Sequence, residues 1–166
     1  MSSLRFRRFL LSQVILVAAA SVCSIALAAQ SKPRPNFSGE WTLVLEKSDF
    51  GPAPPPASMS RSITHADPSL KYVTVQRTTA GETKTETVFS TDGKPQKNAV
   101  QGNQMVTTGK WEADVIVLSS TMEVQGVSVS MEERLALSEG GKTLTVTRSF
   151  TTPDGPFTMK YVLVKK

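Results

Sequence analysis

Glu133, Arg148 and Tyr161 are the residues of this sequence whose types and positions could recognise a small molecule. A carboxylate and a guanidinium within reach form a charge-assisted fork, and a phenol beside them can donate to the carboxylate or to a ligand. They stand in three of four consecutive segments that alternate apolar and polar residues: Val115 to Val124, Val127 to Leu137, Thr143 to Thr151 and Phe157 to Val164. Reading Gly140-Gly141 as a two-residue turn sets Leu137 against Leu144, Leu135 against Val146, Glu133 against Arg148 and Met131 against Phe150. A Gln125-Gly126 turn sets Met122 against Val129, Ser120 against Met131, Leu118 against Glu133 and Ile116 against Leu135. An Asp154-Gly155 turn sets Phe150 against Met159, Arg148 against Tyr161 and Val146 against Leu163. The three hairpins agree on one face, and on it Glu133, Arg148 and Tyr161 form a transverse row. Ser128, Ser130, Glu132, Arg134, Thr143, Thr145, Thr147 and Ser149 fall on the other face, which is solvent chemistry. A slip of one residue would exchange the faces, so agreement among independent turns fixes the inward set.

Charges on an inward face need partners, because an unpaired buried charge is costly. Two readings satisfy Glu133 and Arg148. In one, the pair holds the strands in register or sits in water at an open barrel end. In the other, Arg148 and Tyr161, with Glu133 beside them, anchor the polar head of a ligand whose tail lies along Leu118, Met131, Phe150 and Met159.

The elements that must position this row are strands throughout. Further alternating runs cover Trp41 to Leu45, Leu70 to Thr79, Glu82 to Ser90 and Gln104 to Lys110, with weaker ones at Arg61 to His65 and Gln96 to Gln101. Ala80-Gly81, Asp92-Gly93 and Gly102-Asn103 supply further tight turns. No helical periodicity follows the N-terminal segment, and no βαβ spacing is present, which excludes a parallel nucleotide-binding sheet. The expected fold is all-β, an antiparallel meander closed into an up-and-down barrel of roughly eight to ten strands by this count. An open two-sheet sandwich is the alternative. Gly51 to Pro56, with four prolines, is expected to run as extended polyproline across one barrel end.

Ahead of this domain, Arg5, Arg7 and Arg8 precede an apolar run from Phe9 to Ala28 ending in Ala26-Leu27-Ala28. That is a signal peptide's layout, with cleavage expected before Ala29 and an uncleaved anchor helix as the other reading. The expected organisation is a signal peptide at 1–28, a disordered leader at 29–36 and one barrel domain at 37–166, exported to the periplasm or the medium, with no membrane span after cleavage. Removing the three arginines leaves sixteen basic residues against fourteen acidic, a net charge of +2 rather than +5. The high isoelectric point therefore carries no case for nucleic acid. The one cysteine, Cys23, leaves with the signal, so burial and not disulfides must hold the exported chain together.

Phe37-Ser38-Gly39-Glu40-Trp41 resembles the opening of the first strand in the calycin superfamily, the lipocalins and fatty-acid-binding proteins. The resemblance implies that Gly39 permits close strand approach and that Trp41 plugs the closed barrel end, both as structural residues. The fatty-acid-binding proteins carry an Arg-x-Tyr on the last strand that binds the fatty-acid carboxylate; Tyr161 stands for that tyrosine in the resemblance, but Lys160 and Val162 flank it and the arginine candidate, Arg148, lies on the preceding strand. Those proteins insert a helical lid after the first strand, and Lys47 to Gly51 followed by prolines implies none in this chain. Asn36 to Gly51 also resembles the opening of small exported bacterial proteins with a lipocalin-like domain.

The remaining chemistry is sparse. His65 is the only histidine and is expected at a strand end on the surface, without the partners of a metal site. No Gly-x-Ser-x-Gly elbow and no cysteine outside the signal offer a nucleophile. Glu133 as a buried general acid is the one acid–base candidate, and Arg148 opposite opposes the raised pKa that role needs. No cofactor is expected. Trp111 is expected to pack at the barrel rim, and the threonines between Thr74 and Thr91 are expected on the outer surface. The expected function is binding of a small amphipathic or apolar molecule inside the barrel; the competing class is a structural or protein-interaction module of the cell envelope with a packed interior.

Overall fold

Alternation carries every strand marked above, and short turns make consecutive strands pair. In the computed structural model, which describes residues 33–166, ten strands follow one another: β1 (Gly39–Leu43), β2 (Ser58–Ala66), β3 (Ser69–Thr78), β4 (Gly81–Ser90), β5 (Gln96–Val100), β6 (Asn103–Glu112), β7 (Val115–Val124), β8 (Val127–Ser138), β9 (Thr143–Thr152) and β10 (Gly155–Lys165). All pairs are antiparallel, in the order β4-β3-β2-β1-β10-β9-β8-β7-β6-β5. Pairing of β1 with β10 joins the two halves of the meander, and the sheet curls until β4 meets β5. The fold is an all-β, nearly closed up-and-down barrel of ten antiparallel strands. Three-residue 3-10 turns at Leu45–Lys47 and Glu139–Gly141 interrupt the strand pattern. Among the described residues no helix is long and apolar enough to cross a membrane. The signal segment 1–28 and residues 29–32 of the leader lie outside the described residues. At the leader's end, Arg34 reaches Asp67 at 3.1 Å and lies over the Trp111 ring.

The seam between β4 and β5 lacks a ladder. The Asn98 side-chain amide replaces one: it accepts from the Val88 N–H at 2.7 Å and donates to the Val88 carbonyl at 2.9 Å. Farther along, Gly93 N–H donates to the Gly109 carbonyl, and β4 approaches β6 so closely that a Cβ on Gly109 would collide with the Ser90 carbonyl oxygen. Glycine there lets two backbones meet where no strand intervenes.

The registers of β7 with β8 and β8 with β9 are those expected, Leu118 against Glu133 and Glu133 against Arg148 among them. The β8–β9 connection spans Glu139 to Lys142 rather than two glycines alone, but leaves the same pairing. The β9–β10 register differs. Pro153-Asp154 forms the turn and Gly155 follows it at φ 114, so Arg148 opposes Met159 and Phe150 opposes Phe157. Proline's fixed φ suits the first turn position, which moves the turn one residue toward the N-terminus. The pairing moves by two residues, so every side chain keeps its face. Thr79-Ala80 before Gly81, and Gln101-Gly102 before Asn103, show the same displacement.

The threonines correct an expectation. Met59, Arg61 and Ile63 of β2 oppose Gln76, Thr74 and Tyr72 of β3, and these oppose Thr83, Thr85 and Thr87 of β4. Tyr72 and Ile63 belong to the buried core, so Thr74, Gln76, Thr83, Thr85 and Thr87 share the inward face. The outward phase holds Glu82, Lys84 and Glu86, where Arg77 pairs with Glu82 and Lys71 with Glu86. Charges cost more to enclose than hydroxyls, and Tyr72 and Phe89 need the inside. That competition sets the parity.

One half of the barrel is solidly filled. Phe37, Trp41, Leu70, Ile116, Leu135, Leu144 and Leu163 are fully buried there. The turns at the other end leave Met122, Val129, Met131, Phe150 and Phe157 only partly covered, and the Phe150 and Phe157 rings stack at 4.7 Å.

Candidate binding site in the barrel interior

The central row is built from four strands that converge across the barrel. Glu133 on β8 is enclosed, with 3% of its side chain exposed, and its Oε2 accepts from Arg148 Nε on β9. On its other side, Oε1 lies 3.5 Å from Nη1 of Arg61 on β2, a guanidinium exposed by only 2%. Arg61 Nε donates to Thr74 Oγ1 at 3.1 Å, and its guanidinium lies 4.6 Å above the Tyr72 ring. Arg61 Nη1, Tyr72 Oη and Glu133 Oε1 are buried without a close hydrogen-bond partner. Glu133 therefore serves two arginines, and the cluster carries a net charge of +1. Burial pushes the Glu133 carboxyl up, but the two guanidiniums outweigh it and hold it below its ordinary value. Burial lowers Arg61 in spite of Glu133, and raises the Tyr72 phenol well above its ordinary value.

Tyr161 is close to this row but not in line with it. Arg148 faces Met159 directly, and Tyr161 sits two residues farther along β10, opposite Val146. The Arg148 guanidinium lies 5.2 Å from the Tyr161 ring centroid, and the phenol donates to Met159 Sδ at 3.2 Å rather than to Glu133. Phe50, from the segment after β1, packs edge-on against Tyr161. Of the expected tail contacts, Met131 and Phe150 border the open half, Met159 is buried beside Arg148, and Leu118 lies wholly inside packed core.

Arg148 is 26% exposed although its neighbours on both sides, Glu133 and Met159, are buried. Its exposed surface must face the barrel's own interior, since its strand parity is inward. Two open depressions of about 220 and 420 Å³ lie around Asn103 and Gln104 near the β5–β6 turn, and neither is lined by Glu133, Arg148 or Tyr161.

Arg61 and Tyr72 were not among the expected site residues. The available signal was parity: Met59, Arg61, Ile63 and His65 recur at every second position, so an inward arginine is implied once Met59 and Ile63 are inward. The same parity overturns the surface placement of His65, which is buried. Its Nδ1 accepts from the Phe37 N–H at 3.3 Å, its ring packs on Phe37 and Trp111, and Ser38 Oγ bonds its backbone. Trp111 packs at this rim as expected, donating to Asp67 at 2.8 Å. Among the described residues no cluster of three or more His, Cys, Asp or Glu could hold a metal ion.

Burial lowers the His65 pKa, and Asp67 offsets this in part. Between the ordinary value of 6.5 and the lower folded value, the unfolded chain holds a proton that the folded chain does not. Stability should therefore fall as pH drops through that window, because a protonated Nδ1 can no longer accept from Phe37. Melting temperatures across the window should show the decline in the native protein. They should show a flatter profile in His65→Asn, whose amide oxygen can accept from Phe37 without titrating. Equal slopes in the two proteins would remove His65 as the cause.

No family model and no curated protein sequence matches this chain. Solved structures do. A secretory abundant heat soluble protein from Ramazzottius varieornatus superimposes with a TM-score of 0.56 at 11% identity, over 82% of this chain and 98% of that one. Echinococcus granulosus fatty-acid-binding protein 1 superimposes with a TM-score of 0.50 at 13% identity, over 78% and 96%. At such identities the likeness is one of fold, and the fold is the calycin-like barrel that Phe37 to Trp41 implied.

Proposed function

We propose that the protein binds a small amphipathic molecule in the open half of its barrel, with an anionic or acceptor-bearing head at Arg148 and an apolar part against Met131, Phe150 and Phe157. The observation that carries this reading is the Arg61–Glu133–Arg148 cluster, whose one excess positive charge lies beside the partly covered Met131, Phe150 and Phe157. A monoanion there would neutralise the cluster, and Arg148 keeps accessible surface with which to bind it. The name of the Echinococcus neighbour, a fatty-acid-binding protein, agrees with an apolar ligand. Residues 1–28 act in this reading as a cleaved export signal, 29–36 as a leader and 37–166 as the binding domain, placed in the periplasm or the medium.

The competing reading, an envelope module with no ligand, draws support from the solid packing of the half around Trp41. Native mass spectrometry of protein from its own host tests the proposal. The expected mass is that of a chain starting at Ala29 with a small molecule attached. With octadecanoate as the probe, Arg148→Met should weaken binding by about tenfold or more, the usual worth of a hydrogen bond to a charged group. A chain that neither carries a ligand nor binds octadecanoate would favour the envelope module.

A further inference from the structure

The interior of the open half has two unlike walls. Met122, Met131, Phe150 and Phe157 line one, on β7 to β10. Facing the same interior, β3 and β4 present Thr74, Gln76, Thr83, Thr85 and Thr87 in consecutive inward positions. Thr74 accepts from Arg61 Nε, and Thr83 Oγ1 makes only a long 3.5 Å contact with the Gln76 carbonyl. Among the described residues, the side chains of Gln76, Thr85 and Thr87 have no hydrogen-bond partner. A purely hydrocarbon ligand would displace water from these groups and leave them unpaired, at a cost per group comparable to a lost hydrogen bond.

We infer that the open half takes a ligand with two different sides: hydroxyl or amide groups along the side facing β3 and β4, and hydrocarbon along the side facing β7 to β10. This rests on the binding reading above and narrows it, excluding a plain acyl chain as the preferred ligand. The Arg148 end fixes the head, and the Gln76–Thr85 wall selects along the length of the molecule.

A matched pair of probes tests it: octadecanoate and 9,10-dihydroxyoctadecanoate, equal in length and head group and differing in two mid-chain hydroxyls. An apolar barrel prefers the plain acid. This barrel should prefer the dihydroxy acid by about tenfold, because a site that hydrogen-bonds a hydroxyl discriminates against the analogue lacking it. Thr85→Val is close to isosteric and keeps strand propensity, and with Gln76→Leu it turns the wall apolar. The double variant should reverse the preference while its circular dichroism stays that of the native barrel. If it does not fold, Thr85→Val alone should still narrow the tenfold gap. Octadecanoate binding as tightly as the dihydroxy acid, with no change in the variants, would overturn the two-sided ligand while leaving the binding reading intact. Failure of both acids to bind would overturn the two together.

Discussion

Glu133→Gln should destabilise the protein by about 3–5 kcal/mol in urea unfolding, the cost typical of removing one partner from a buried ion pair. The substitution keeps the side chain's shape, so cavity formation contributes little. What it removes is the only carboxylate among the described residues that pairs with Arg61 and Arg148, and Arg61 is almost completely buried. Arg148→Ala should cost less than Glu133→Gln, because Glu133 then retains Arg61 and the lost guanidinium was itself partly solvated. Replacing all three with apolar residues, as Arg61→Met, Glu133→Leu and Arg148→Met together, should recover most of the loss, since well-packed apolar substitutes for buried ion clusters are often neutral or stabilising. A cost below about 1 kcal/mol for Glu133→Gln is what an exposed pair gives, and would mean that the row is hydrated. The pH dependence has a definite sign. Folding lowers the Glu133 pKa below its ordinary 4.5, so this contribution is present above that value and is lost as pH falls through the folded one. The triple variant, if folded, also separates the two roles of the row. It should lose octadecanoate binding while keeping stability.

Trp41→Ala should cost a further large amount, about 3–5 kcal/mol, as large aromatic truncations in packed cores do. Trp41 is wholly buried among Phe37, Leu144 and Leu163 in the filled half, and its Nε1 donates to the Phe37 carbonyl at 3.1 Å. That bond ties the first strand to the residue that also caps His65, so the indole fixes the entry of β1 into the barrel as well as filling space. Trp41→Phe keeps much of the volume and loses the donor, and should cost a smaller part of the total. Neither change should alter octadecanoate affinity in protein that remains folded, because the indole belongs to the filled core and meets the charged row through its cross-strand neighbour Arg61, not through Arg148. A Trp41→Phe protein that is stable but no longer binds would show that the filled end takes part in recognition, against the purely structural role that its Gly-x-Trp setting implies.

How far the site was legible follows from the turns. Gln125 and Gly126 both adopt positive φ, at 52° and 79°, so the Gln-Gly pair marked its own turn and the Leu118–Glu133 pairing with it. Asp154-Gly155 misled by one residue because Pro153 took the first turn position, and Tyr161 moved from beside Arg148 to a diagonal place under its guanidinium. The face survived because a displacement of two residues preserves parity. Local sequence offers less where the inward residues are themselves polar. Thr74, Thr85 and Thr87 look like surface, and only their strand partners Arg61, Tyr72 and Ile63 reveal that they line the interior.

By itself the sequence determined the all-β class, the strand positions and the inward face of β7 to β10, because strand period and turn chemistry are properties of neighbouring residues. It also placed Glu133 against Arg148, since one hairpin relates them. Closure decided the rest. Arg61 and Tyr72 reach Glu133 only because the sheet curls and brings β2 and β3 across from β8, a contact between strands that are not paired with each other and share no turn. The same closure buries His65 under Phe37 and Trp111, and gives the barrel one filled end and one open end. Nothing local in the chain encodes those contacts, because they depend on how far a sheet of ten strands twists before its edges meet.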